Sequence, residues 1–233
     1  YDHAPAAEVS EGRAKRGRPA PRSLPVSQYF TRLAHQVIGG ITAPGAEGKL
    51  YEVDMRLRPS GKGGMLVTSI AAFAEYQRKE AWTWEHQALL HARAVAGAPS
   101  LRADFERERL EVLRTAVRRD TLREDVRSMR ERMRRELSRA AVGEVDLKQD
   151  PGGIADIEFL AQFWALRWAG EHPPVALYPD TIRQLESVAS ADLVPQATVD
   201  ILTRASRRYR ERIHHRPLAD APPIVQQAEF AGE

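Results

Sequence analysis

Residues 50–64 read LYEVDMRLRPSGKGG and gather a carboxylate, two guanidinium groups and a glycine-rich loop into one short stretch. Leu50 to Leu57 alternate with a period of two, the repeat of a β-strand. The alternation predicts a strand over 50–57 with Glu52, Asp54, Arg56 and Arg58 on the face of Leu50, and Tyr51, Val53, Met55 and Leu57 on the other. A loop carrying Lys62 follows. Hard carboxylate oxygens hold Mg²⁺, one or two per ion, alongside substrate phosphates. Guanidinium groups and loop amides suit the phosphate itself. Asp54 is the candidate metal ligand, with Arg56 and Arg58 neutralising phosphate charge. The alternative is an edge strand whose charges form a solvated ladder.

A second constellation is KQDPGGIADIEF, residues 148–159. Two glycines precede an apolar helix, which predicts unoccupied amides at a helix N-terminus, a setting that favours anions. Lys148, Asp150, Gly152, Gly153, Asp156 and Glu158 are its candidate residues; a plain helix start with acidic first turns is the competing reading. A third segment, EAWTWEHQALLHAR over 80–93, carries Trp82 and Trp84, expected in the core, and Arg93, about two helical turns beyond His86 and expected to reach the strand site. His214 and His215 are adjacent on a predicted helix and diverge, so they make no metal pair. No HExxH, P-loop or GxSxG pattern occurs.

These groups need elements to position them. The 233 residues suit one large domain or two small ones. Acids interleave with the many arginines, leaving a net charge of +3, which argues against a dedicated nucleic-acid binder. The sequence holds no cysteine, so disulfides and thiolate metal sites are excluded, and a reducing cytoplasm fits. No apolar run approaches the roughly 20 residues of a membrane span, and no signal-peptide pattern opens the chain. Residues 3–25, rich in Ala, Pro, Gly and Arg, read as a flexible loop, with Arg13–Arg22 its basic part. Spacing predicts helices over 27–38 (ending at Gly39 and Gly40), 69–79 capped by Ser69, 82–95, 100–118 capped by Ser100, 121–140 opened by a Thr121–Glu124 capping box, 154–169, 180–190 and 196–215. Met65–Thr68 reads as a second short strand, and 216–233 as loop. Leu113, Leu122, Val126, Met129, Met133 and Leu137 belong to a narrow apolar seam typical of bundle helices, and helix 154–169, apolar nearly all round, belongs at the bundle's centre. The expected fold is mostly helical α+β: a partial α/β domain over 1–97, then an all-α bundle over 98–233.

YEVDMRLRPSG, EAWTWEHQALLHARAVAG and KQDPGGIADIEF, in this order, closely resemble the glutamine-synthetase adenylyltransferase family, over about residues 27–215. The second motif resembles the C-terminal, adenylylating half of those bifunctional proteins. The resemblance implies transfer of AMP from ATP to a tyrosine of glutamine synthetase with release of pyrophosphate, on a nucleotidyltransferase domain followed by a helical bundle. It implies Mg²⁺ on three carboxylates, of which Asp54 matches one, and a nucleotide site faced by Lys148, Asp150, Gly152, Gly153, Asp156 and Glu158. It also implies glutamine synthetase, the PII signal protein and glutamine as partners or effectors, and a cytoplasmic setting. The Asp-x-Asp element and Gly-Ser turn that supply the other carboxylates are absent from the sequence. The chain is therefore expected to be an N-terminally truncated portion of that half, inactive alone. Two other expectations compete: a uridylyltransferase-like enzyme, and a helical docking module without chemistry.

Overall fold

A computed structural model describes residues 1–2, 8–10, 23–46, 48–55, 58–215 and 222–230. In chain order they form strands β1 (Glu8–Ser10) and β2 (Ser23–Pro25), helices α1 (Val26–Thr42), α2 (Ile70–Lys79), α3 (Thr83–His91), α4 (Pro99–Thr115) and α5 (Leu122–Leu137), strand β3 (Glu144–Asp146), helices α6 (Ile154–Trp168), α7 (Thr181–Ser190) and α8 (Gln196–His215), strand β4 (Ile224–Gln226) and a short helix α9 (Gln227–Phe230). The fold class is mostly helical α+β, as expected. The chain divides into two compact units: Tyr1–Ala81 with Ala94–Glu108, and Trp82–Arg93 with Arg109–Glu233. Among the described residues no helix is long and apolar enough to cross a membrane.

In the first unit β1 pairs antiparallel with β2, Val9 opposite Leu24, within the stretch read from composition as a loop. Arg13–Arg22 lies outside the described residues. Helix α1 does not stop at Gly39 and Gly40 but continues to Thr42, whose Oγ1 donates to the Ile38 carbonyl at 2.8 Å. Each glycine costs a helix roughly 1 kcal/mol, which lowers stability without forcing an end. Ser69 caps α2 as its sequence foretells, its Oγ accepting from the Ala72 N–H at 3.1 Å. Phe73 of α2 packs on Phe105 of α4, ring centroids 5.7 Å apart, and Arg78 pairs with Glu108.

The predicted strand over 50–57 is not formed at residues 50–55, and Arg56 and Leu57 lie outside the described residues. Nor is Met65–Thr68 a strand. Alternation supplies only one requirement of a strand. The other is a neighbour for its N–H and C=O groups, and no described segment pairs with this one. Its apolar residues are correspondingly uncovered: Leu50 is 79% exposed and Tyr51 63%.

The second unit is built around α6, which packs against α3, α5, α7 and α8. Ile157, Ala161, Ala165 and Leu166 are buried on it, the small residues allowing close helix approach. Each large apolar side chain buried in this way stabilises the fold by roughly 1.5–3 kcal/mol. Trp82 and Trp84 are not core residues; Trp82 is 62% exposed, and the Arg118 guanidinium lies 5.4 Å over its ring. Helix α3 stops at His91 rather than 95, and α4 starts at Pro99 and stops at Thr115, so Ser100 lies inside it. Thr121 forms no capping box; its Oγ1 donates instead to Asp125 at 3.0 Å. Within 216–233, β4 pairs antiparallel with β3, Val225 opposite Val145.

A methyl group at Gly39 would enter open space, with no atom within 4 Å, so Gly39→Ala is expected to stabilise α1 by about 0.5–1 kcal/mol. Amide exchange of α1 should slow about two- to fivefold. Unchanged or faster exchange would mean that α1 does not run through Gly39.

Candidate functional site

The residues 146–156 form a turn whose polar groups are almost all engaged within the protein. Asp146 opens it. Its Oδ1 accepts from the N–H groups of Lys148 at 2.8 Å and Gln149 at 3.0 Å. Asp150 closes the loop backwards, its Oδ2 accepting from the Asp146 N–H at 2.8 Å and its Oδ1 from the Ser138 hydroxyl at 2.6 Å. The short β3–β4 ladder carries this turn, and the Leu147 N–H donates to the Pro223 carbonyl at 2.9 Å.

The two glycines have different tasks. Gly152 sits at φ +80, a left-handed conformation that side chains disfavour. At Gly153 a Cβ would lie 2.8 Å from the Leu147 carbonyl oxygen and 2.9 Å from that of Asp150. This close approach lets the turn carbonyls reach the start of α6. Ile154 N–H donates to Leu147 O at 3.0 Å, Ala155 N–H to Lys148 O at 3.2 Å and Gly153 N–H to Asp150 O at 2.9 Å. Unoccupied amides were expected here; instead the turn satisfies them, as helix starts require in one way or another.

Asp156 joins this turn to α5. Its Oδ1 lies 2.6 Å from Arg130 Nε and 3.1 Å from Arg134 Nη2, and its Oδ2 accepts from the Gly152 N–H at 2.7 Å. Arg130 is buried and also donates to the Gln149 carbonyl at 2.8 Å. A buried guanidinium is tolerated only when its charge is matched; here Asp156 matches the charge and the Gln149 carbonyl takes one donor, while Nε meets Asp156 as an ion pair without hydrogen-bond geometry. Arg130 and Arg134 were missed by the sequence reading. Their one signal is spacing: Leu122, Val126 and Arg130 step by four along α5 and are all buried, whereas Met129, Met133 and Leu137 of the expected seam are not.

Of the candidate residues, the second unit thus brings together Lys148, Asp150, Gly152, Gly153 and Asp156. Lys148 is exposed, with its backbone held on both sides. Glu158 turns to another face, where Arg210 Nη2 lies 3.4 Å from its Oε1. There it lines an open cleft of about 420 Å³ with His91, Gln162, Asp180, Thr181 and Arg210. The Pro179 carbonyl can only accept, so His91 Nδ1 donates to it at 2.6 Å, and His91 Nε2 accepts from Gln162 at 2.8 Å. Arg93 is exposed just beyond α3.

Asp54 and Arg58 belong to the first unit. Asp54 is exposed, and Arg58 Nη1 donates to the Met55 carbonyl at 2.7 Å. The loop after them winds into a 3₁₀ turn at Gly61–Gly63. Gly64 must be glycine, since a Cβ there would fall 1.9 Å from the Pro59 carbonyl oxygen. Among the described residues no group of three or more His, Cys, Asp or Glu side chains could hold a metal ion.

The chain that carries this turn in one unit and the Asp54–Gly64 segment in the other is of the nucleotidyltransferase class, as comparison with known proteins shows. Residues 10–108 match the family model of glutamate-ammonia ligase adenylyltransferase, and residues 120–216 match that of GlnD PII-uridylyltransferase. The bifunctional glutamine synthetase adenylyltransferase/adenylyl-removing enzyme of Thioalkalivibrio sulfidiphilus is 44% identical over 210 residues, 90% of this chain and 22% of that protein. The enzyme of the same name from Hahella chejuensis is 45% identical over 210 residues, 88% of this chain and 22% of its own length. The chain belongs to the glutamine synthetase adenylyltransferase family and spans about a fifth of the length of these relatives.

Because the turn is closed around Gly153, Gly153→Ala is expected to destabilise the second unit by about 1–3 kcal/mol, read as a lower urea midpoint. A midpoint equal to wild type would mean that the carbonyls of Leu147 and Asp150 do not crowd this position.

Proposed function

We propose that this chain is part of an enzyme that transfers AMP from ATP to a tyrosine of glutamine synthetase. The tyrosyl oxygen forms a bond to the α-phosphorus, the bond to the β-phosphate oxygen breaks, pyrophosphate leaves, and the hydroxyl proton passes to solvent. The observation that carries this reading is identity of 44–45% running through some nine-tenths of the chain, across both units, to relatives named for that activity.

Asp54 offers the hard oxygen that Mg²⁺ prefers, and one carboxylate plus substrate phosphates is a usual Mg²⁺ environment; the group fits on those terms. Bound there, Mg²⁺ would offset charge on the reacting phosphate and on the departing pyrophosphate. Arg56 and Arg58 follow Asp54 and would hold phosphate oxygens by charge-assisted hydrogen bonds. Lys148 is the exposed cation of the 146–156 turn, and its pinned backbone suits it to meet a nucleotide phosphate. Asp150, Gly152, Gly153 and Asp156 shape that turn from within. Glu158 is assigned toward nucleotide by the family resemblance, and Arg93 by its spacing from His86. The same reading brings the PII signal protein and glutamine as regulators, and the cytoplasm as the setting.

A second reading is a transfer of UMP, favoured by the uridylyltransferase match over 120–216. It covers the helical part only, whereas the adenylyltransferase relatives align through both units. We infer further that transfer requires the longer protein, because the chain spans 22% of those relatives.

Glutamine synthetase incubated with Mg²⁺ and ATP labelled at the α-phosphate should acquire label from the full-length enzyme and not from this chain alone. Label from UTP instead would favour the second reading, and label from neither would favour a docking module. Label acquired with this chain alone would overturn the requirement for the longer protein. In the full-length enzyme, Asp54→Asn is expected to lower kcat by about 10²–10³-fold, with the unfolding midpoint unchanged because the residue is exposed. Near-normal turnover would remove Asp54 from the metal site.

A further inference from the structure

The turn that carries Lys148 is held from outside by two arginines of α5, and nothing in the motif itself requires them. Arg130 grips it twice, through the Gln149 carbonyl at 2.8 Å and through Asp156 at 2.6 Å. Arg134 reaches both oxygens of Asp156, at 3.1 and 3.2 Å. Asp156 in turn receives the Gly152 N–H at 2.7 Å, fixing the left-handed glycine where the turn enters α6. From there the path returns to Lys148, whose carbonyl accepts from the Ala155 N–H at 3.2 Å. The two arginines differ in surroundings. The Arg130 side chain is 7% exposed, so its loss would leave buried partners unmatched, whereas the Arg134 side chain is 32% exposed. Arg134 therefore contributes geometry more than burial.

We propose that Arg134 is a positioning residue that acts through Asp156 to hold the Lys148 turn in the arrangement that meets a nucleotide phosphate. This rests on the adenylyl-transfer reading. Arg134 does not itself touch the reacting atoms. With Arg134 removed, Asp156 keeps Arg130 and the Gly152 amide but loses the contact that spans both its oxygens. The turn then samples arrangements in which the Lys148 ammonium is misplaced. Loss of an outer contact of this kind typically weakens binding 10- to 100-fold where it orients metal ligands, and the lower end is expected for a partly solvated pair.

The test uses the full-length enzyme, with Arg134→Gln, Arg134→Lys, Lys148→Ala and the double variant Arg134→Gln with Lys148→Ala. Arg134→Gln should raise KM for ATP about tenfold with a smaller change in kcat and a thermal midpoint unchanged. Arg134→Lys, which restores one charged contact, should recover part of the loss. The double variant should be no worse than Lys148→Ala alone, since both act at one group. A wild-type KM in Arg134→Gln, additive losses in the double variant, or a loss that tracks a lowered thermal midpoint would each overturn the proposal. Lys148→Ala at wild-type KM would overturn the role of Lys148 itself and this proposal with it. Absence of AMP transfer by the unmutated enzyme would instead reject the adenylyl-transfer reading.

Discussion

A guanidinium buried in a protein sets conditions on its surroundings. Taking that charge out of water costs several kcal/mol, a cost offset by a close carboxylate and a carbonyl acceptor. Arg130 is that group here, and its requirements fix three things together: the rotation of α5, the carbonyl of Gln149 and the carboxylate of Asp156. Once Asp156 is fixed, so is Gly152, and once the glycine pair is fixed, the carbonyls of Leu147 and Lys148 fall on the first amides of α6. The central helix of the second unit thus starts from a knot rather than from a flexible loop. The apolar packing of α6 against α3, α5, α7 and α8 then extends from a defined origin.

How much of this could be read from the sequence varied with the kind of physics involved. Helices α6, α7 and α8 were legible to within a residue or so, because an apolar stripe sustained over several helical turns is the mark of a helix packed on one side. Helix α5 was legible as a helix but not in its rotation. Met129 and Met133 were the natural core choices by composition, and Arg130 was not, yet the arginine is the buried residue. A periodicity argument ranks positions by hydrophobicity and cannot see a charge matched by partners distant in sequence. The β3–β4 ladder escaped for a related reason: three-residue strands separated by some eighty residues leave no local trace.

The segment from Leu50 to Leu57 failed in the opposite direction. Its alternation was the clearest strand signal in the chain, and residues 50–55 form no strand. A strand is a property of a pair, and sequence alternation describes one member. The identities of Asp54, Arg56 and Arg58 as candidate groups rest on residue chemistry and resemblance, which do not depend on the ladder. The glycine pairs make a similar contrast. Gly39–Gly40 and Gly152–Gly153 look alike in sequence, but the first pair lies inside a helix with open space around it, and the second is demanded by a left-handed φ and by carbonyls under 3 Å from a would-be Cβ. Only the surrounding backbone distinguishes an indifferent glycine from a required one.

The two family models meet this chain on different parts, the adenylyltransferase model on residues 10–108 and the uridylyltransferase model on 120–216. The geometry of the second unit gives that division a physical sense. Among the described residues, the contacts that shape the 146–156 turn come from the second unit, and the cation it presents, Lys148, is a compact point charge suited to any phosphate. Phosphate is what ATP and UTP have in common. On the proposed reading, then, this turn serves nucleotidyl transfer through the phosphate that both nucleotides share. A turn so internally satisfied tolerates change at its exposed tip far better than at Gly153, where a Cβ would crowd the carbonyls, or at Asp156 and Arg130, where substitution leaves a partner unmatched.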